Sequence, residues 1–438
     1  MKLTLPSSPL RYYLSGMDWV VHALDHTSKK FLGCGLLFQI IVELAGTLEK
    51  ESFRGPFARY CECFPHLWGV ARRDFINLAP YWRINRGRGV SKVEVVFRQA
   101  VDFEEALNLL SAELNTPFET EEIYFKVFCV TVSDKTLIGC TFDHRLFDAR
   151  GAELFLQGFH DFWAQGLSKE FQVWNADAGL DHWREKFEAG RKVKRAGLTS
   201  GENSMVRRFT DRKSPKKGKN RFKIKHFDQI ATQSIFERAE KRAGVFMFLP
   251  YSLAISIQMI HSLFVRRGQR EGDFVISVTR DMRVKGSSKV SILFNHFSVI
   301  YFRVSALEID DFQMLVGRLK QQLYEQVKNK LPEALSESSM LIRIVPRSVL
   351  SYGFESLLPT PMPTFVFAFL GESAYQSDEF AGLEVLNMFH LPRIPPSPGL
   401  GIFFSQYRKR LAMTLSYIED TVSEEEAEDL ILTVAEHL

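Results

Sequence analysis

The chain has 438 residues, 45% hydrophobic and 25% charged, with a formal net charge of +4. That composition suits a globular protein long enough for two domains, each with its own core, and excludes a collagenous or low-complexity chain. A charge so near balance gives no general basis for nucleic-acid binding.

In chain order, MKLTLPSSPL lacks the apolar run of a signal peptide. LLFQIIVELAG (36–46) is β-rich and bounded by glycines, and Pro56-Phe57 opens a helical segment, PFARYCECF. VSKVEVVFRQ (90–99) alternates like a half-buried strand, and FEEALNLLSAEL (103–114) carries apolar residues at helical spacing. IYFKVFCVTVS (123–133) and KTLIGCTFDH (135–144) flank a polar turn at Asp134 and predict a hairpin ending on His144. After Gly151, AELFLQGFHDFWAQG predicts an amphipathic helix.

Residues 190–225 carry 14 Lys/Arg against two acidic residues and are rich in Gly and Ser. They predict a basic linker, 191–225, between a first lobe, 1–190, and a second, 226–438. The segment is either a solvated connection or a docking patch for an acidic or phosphorylated partner, with Lys213, Lys216, Lys217 and Lys219 at its centre. The second half repeats the α/β grammar, with helices over 228–243, 246–266 and 310–329, strands at 273–279 and 364–371, and an apolar stretch at 290–304. Two further strands turn at Arg408-Lys409, and a closing helix starts at the capping-box pair Ser423 and Glu426. The apolar stretch 245–264 is broken by Pro250, Gln258 and His261, so it predicts a buried helix and not a membrane span. The five cysteines show no C-x-x-C spacing and read as free thiols in a reducing cytoplasm. The 38 Phe either thicken the core or line an acyl-sized tunnel.

The stretch FDHRLFDARGAELFL (142–156) holds the chemistry. In a straight strand His144 and Asp148 would stand roughly 13 Å apart. They approach only if the chain turns after the strand, and the start of a helix supplies that turn. A neutral His at a sheet rim is a good general base at neutral pH. No other ligand type stands at metal spacing from His144 apart from Asp143 and Asp148, and His160 lies 16 residues on, so no metal is expected. No G-x-S-x-G elbow points to a hydrolase.

At these residues the sequence resembles the chloramphenicol-acetyltransferase-like superfamily, through its H-x-x-x-D-G signature. That superfamily includes condensation domains, wax ester synthase-like acyltransferases and plant acyltransferases. FPHL (64–67) is similar to its H-P-x-L segment. SVTRDMR (277–283) and LFNHFSVIYFRV (293–304) are similar to its second-lobe strand and G-N segment, with Asn295 as the Asn. The resemblance implies two lobes in a V-shaped pseudo-dimer, mixed sheets flanked by helices, and an active-site tunnel between the lobes.

It also implies a monomeric cytoplasmic acyltransferase. His144 would be the general base and Asp148 would hold the loop, while Asn295, Asp143 and Gly151 would line the substrate site. No permanently bound cofactor is expected. The donor would be acyl-CoA or a phosphopantetheine-linked acyl thioester on a carrier protein, and the acceptor a small-molecule alcohol or amine. The sequence departs from the pattern at Asp143 (His in the common form), Ala149 (Gly) and Phe294 (Gly). The family Arg that pairs with the motif Asp is missing at Trp68 and Val70, leaving Arg72, Arg73 and Arg145 as candidates. These departures keep open a catalytically degenerate binding or scaffold protein.

Overall fold

The computed structural model describes residues 11–84, 93–166, 176, 182–196, 205–209, 218–284, 291–353 and 362–438. Lys213, Lys216 and Lys217 of the basic segment lie outside the described residues. In the first half the strands are β1 (Arg11–Tyr13), β2 (Leu37–Ala45), β3 (Gly69–Arg73), β4 (Pro80–Ile84), β5 (Val95–Gln99), β6 (Phe125–Val132) and β7 (Lys135–Asp143). Its helices are α1 (Gly16–Leu32), α2 (Lys50–Glu62), α3 (Phe103–Leu114), α4 (Ala149–Gln165) and α5 (Trp183–Arg195). The second half holds β8 (Asn220–His226), β9 (Phe274–Asp281), β10 (Phe297–Val304), β11 (Phe365–Glu372), β12 (Glu379–Phe380), β13 (Leu383–Pro392), β14 (Leu400–Tyr407) and β15 (Arg410–Ile418). Its helices are α6 (Gln229–Ala243), α7 (Phe248–Arg266), α8 (Phe312–Lys328), α9 (Leu331–Ser339), α10 (Arg347–Tyr352) and α11 (Glu424–His437).

Two six-stranded mixed sheets organise these elements, in the orders β12-β13-β2-β7-β6-β5 and β10-β9-β11-β14-β15-β8. A three-stranded sheet, β1-β4-β3, sits beside the first. The sheets do not divide the chain at a single point. Strand β13 lies in the second half, yet it pairs antiparallel with β2, Phe389 opposite Ile41 and His390 opposite Ile40. This crossover ties the lobes together through backbone hydrogen bonds.

Local chemistry explains the hairpins and caps. Arg408 and Lys409 both take positive φ, 47° and 62°, the geometry a two-residue turn needs to match strand twist. Ser423 accepts from the Glu426 amide while the Glu426 carboxylate accepts from the Ser423 amide, closing the capping box. Pro56 does not open a helix. It sits within α2, which begins at Lys50.

Phenylalanine chiefly builds core here. Phe53, Phe57, Phe125, Phe142, Phe155 and Phe159 interlock between the first sheet and helices α2 and α4, with ring centroids 4.6 to 6.1 Å apart in the pairs Phe125–Phe142, Phe57–Phe159 and Phe142–Phe155. Each such ring contributes about 1.5–3 kcal/mol by leaving water. Helix α7 is long and apolar enough to cross a membrane, but 67% of its most apolar window is buried against the second sheet and its neighbours.

Candidate active site

Strand β7 delivers His144 to the rim of the first sheet. The His144 amide donates to Leu36 O (3.1 Å), the last contact before the chain leaves the sheet. The Leu146 and Phe147 amides both donate back to Asp143 O, at 3.0 and 3.1 Å, which makes the turn. Asp148 then caps α4, its Oδ1 accepting from the Gly151 amide at 2.7 Å. The turn thus brings His144 and Asp148 to one strand–helix junction, where their side chains serve different partners.

His144 is half-buried, with the rings of Phe38 and Phe297 at 5.4 and 6.1 Å. Its Nδ1 lies 3.0 Å from Asn295 Oδ1. The protonation of that contact follows from the neighbours of Asn295. Its Nδ2 donates to two groups that only accept, Asp18 Oδ1 (3.1 Å) and His144 O (3.0 Å). Oδ1 is therefore the acceptor, and His144 Nδ1 carries the proton. In the neutral ring the lone pair is then on Nε2, which has no protein partner among the described residues. This is the tautomer a general base needs.

Asn295 is itself held by Asp18, which is fully buried near the start of α1. Asp18 accepts four hydrogen bonds, from the amides of Ser15 (2.9 Å) and Asn295 (2.8 Å), from Ser15 Oγ (2.7 Å) and from Asn295 Nδ2. Burial pushes its carboxyl above the usual range, against the pull of these bonds. Sequence reasoning missed Asp18. Its signal was the Ser15…Asp18 spacing of a helix cap.

Asp148 forms a two-pronged pair with Arg283, two residues beyond β9, Nη2 to Oδ1 at 2.8 Å and Nη1 to Oδ2 at 3.0 Å. Its Oδ2 also accepts from the His296 amide at 2.8 Å, and Arg283 Nε donates to Ser291 O at 2.8 Å. Burial alone would raise the Asp148 carboxyl, but the charge and hydrogen bonds of Arg283 outweigh it and hold it below the usual range. The expected partners Arg72, Arg73 and Arg145 do not fill this place. Arg145 clamps Asp143 at 2.7 Å and stacks over Tyr124, while Arg73 donates to the Leu78 and Ile344 carbonyls. The partner sat in the SVTRDMR stretch already singled out, about 135 residues away from the motif.

Asp143 is buried and consumed by Arg145, with both oxygens engaged. Gly151 faces backbone, since a Cβ there would lie 2.3 Å from Ile292 O. Ala149 begins α4 in ordinary helical geometry and has no need of glycine. Phe294 has φ of 69°, the left-handed conformation that favours glycine, with its amide donating to Leu146 O at 2.7 Å. The backbone at this position therefore keeps a glycine's shape, and the ring lies buried against Trp82.

No protein-family model and no curated protein sequence matches this chain. Solved structures do match across almost its whole length. The first condensation domain of the calcium-dependent antibiotic synthetase, in complex with a substrate analogue, superposes with a TM-score of 0.70 at 14% identity, over 99% of this chain and 96% of that one. The condensation domain of the Monacolin K polyketide synthase MokA gives 0.65 at 14% identity, over 98% and 96%. The trichothecene 15-O-acetyltransferase of Fusarium sporotrichioides gives 0.66 at 12% identity, over 99% and 96%. The fold is thus the two-lobed chloramphenicol-acetyltransferase-like fold of condensation domains.

Proposed function

We propose that this protein is an acyltransferase that moves an acyl group from a thioester donor, acyl-CoA or a carrier-protein thioester, to a hydroxyl or amine acceptor. The observation that carries this reading is the pinned tautomer of His144, proton on Nδ1 and lone pair on Nε2. Nε2 takes the proton of the acceptor as its oxygen or nitrogen attacks the thioester carbonyl. The tetrahedral intermediate then collapses, and the same proton passes to the departing sulfur. Asp18 and Asn295 orient the base. Asp148 shapes the junction and carries no proton.

Two of the sequence departures support activity over a degenerate scaffold. Ala149 disturbs no backbone, and Phe294 keeps the glycine geometry. The missing Arg is supplied from the other lobe. The condensation-domain and acetyltransferase neighbours support the same reaction class. General-base action contributes ~10²–10⁴-fold, with substrate positioning supplying much of the remainder.

The test is thiol release from a panel of acyl-CoA and acyl-carrier donors with alcohol and amine acceptors. His144→Ala is expected to lower turnover by ~10²-fold or more with an unchanged melting curve. Full turnover in that variant would remove His144 from the mechanism.

A further inference from the structure

Beside the site, helices α5 and α9 enclose an open groove of about 650 Å³. Helix α9 is fixed to the site at both ends. Near its start, Pro332 O accepts from Ser298 Oγ at 2.6 Å, three residues beyond Asn295. At its far end, Ser339 lies against Gly16, two residues before Asp18, so closely that a Cβ on Gly16 would lie 2.0 Å from Ser339 O. The groove therefore runs along the flank of the elements that orient His144.

The charge lining the groove is not self-compensating. Its three carboxylates each have a cation. Glu188 is 3.3 Å from Arg191, Glu333 is 3.3 Å from Arg280, and Glu337 is 3.6 Å from the buried Lys186. Lys192 and Arg195 at the end of α5, and Lys330 at the start of α9, have no anionic partner among the described residues. All three are exposed. Three exposed cations from two helices thus line one groove without a carboxylate partner among the described residues. A single carboxylate balances one of them, whereas coenzyme A brings a 3′-phosphomonoester of close to two charges together with its pyrophosphate.

We propose that the α5–α9 groove binds the phosphate-bearing end of the thioester donor, with Lys192, Arg195 and Lys330 as its anchors. This rests on the acyl-transfer reading above. The shared chemistry is the phosphoester at the end of pantetheine, which is part of the pyrophosphate in coenzyme A and a singly charged diester on a carrier protein.

Calorimetric titration with coenzyme A, 4′-phosphopantetheine and adenosine 3′,5′-bisphosphate tests it without any turnover. The combined variant Lys192→Ala, Arg195→Ala and Lys330→Ala, whose melting curve is checked first, is expected to bind about tenfold more weakly or worse. High salt is expected to weaken the parent protein and hardly affect the variant. His144→Ala is expected to bind like the parent, so loss of chemistry and loss of the groove are told apart. Binding of 4′-phosphopantetheine comparable to that of coenzyme A supports contact with the pantetheine phosphate, the group both donors share. Binding of coenzyme A and the bisphosphate alone supports the nucleotide phosphates. Equal affinity in parent and variant, or no binding by either, overturns the proposal even if acyl transfer is observed.

Discussion

Phe294 holds a buried ring on a left-handed backbone, and the two features pull its substitutions in opposite directions. Phe294→Ala loses the ring and keeps the unfavourable φ. Phe294→Gly loses the ring and is at ease there. Both should be destabilised by a few kcal/mol, with the glycine variant more stable than the alanine variant by ~1 kcal/mol. Denaturant midpoints of the pair check this, and the reverse order would refute it. His66 makes a second residue-scale prediction. It is buried beside Tyr12, and burial lowers its imidazole to about 3. An unfolded His takes up a proton near pH 6.5, so between those values the unfolded chain binds the extra proton. Stability should therefore fall as pH drops below about 6.5, by up to ~1.4 kcal/mol per pH unit from this group. In His66→Leu that part of the slope should vanish when stability is followed from pH 7 to pH 5. The place of His144 at a strand–helix junction was legible from the residues of one stretch. Asp18 and the partner of Asp148 were not, because a carboxylate 277 residues from Asn295 and an arginine 135 residues from Asp148 meet their partners only through the fold.

At the scale of elements, the start of α4 and the chain just beyond β9 meet through Asp148 and Arg283. The pair is largely buried, with side chains 8% and 12% exposed. Arg283→Ala would leave a carboxylate with little water and no counter-charge, at a cost of about 3–5 kcal/mol. Because the His296 amide shares Asp148, activity should fall together with the melting temperature. Arg283→Lys should recover little, since one ammonium cannot reproduce the two-pronged contact. Wild-type stability or activity in either variant would show that the pair holds nothing. The hairpin β6–β7, helix α4 and the β14–β15 turn were legible because short-range patterning and turn chemistry specify them. Strand β13 was not. LEVLNMFHLP has no clean alternation, for it is enclosed in mid-sheet with four consecutive buried residues. What makes it a strand is β2, far away in the sequence.

For the molecule as a whole, the crossover of β13 joins the two sheets mechanically. A buried pair reinforces it: His390 Nε2 on β13 lies 2.9 Å from Glu153 on α4, and His390 O accepts from Thr414 Oγ on β15 at 2.8 Å. One network thus touches both sheets and the helix that follows the H-x-x-x-D stretch. Scanning calorimetry should show a single unfolding transition with agreeing calorimetric and van't Hoff enthalpies. Two resolved transitions would mean that the lobes melt independently in spite of the shared strand.

The same strand sets a timetable for synthesis. The neighbours β2 and β13 are separated by more than three hundred residues, yet β13 is the strand beside β2 on the side away from β7. At ~5–20 residues per second, β2 leaves the ribosome on the order of half a minute before the partner it needs. Through that interval the edge of β2 stands open to any other extended segment, including another nascent copy of itself. His144 is translated early and becomes part of a finished sheet late. A truncated product ending before residue 383 would carry the entire H-x-x-x-D motif on an unguarded edge, as a candidate for aggregation before it could complete its fold.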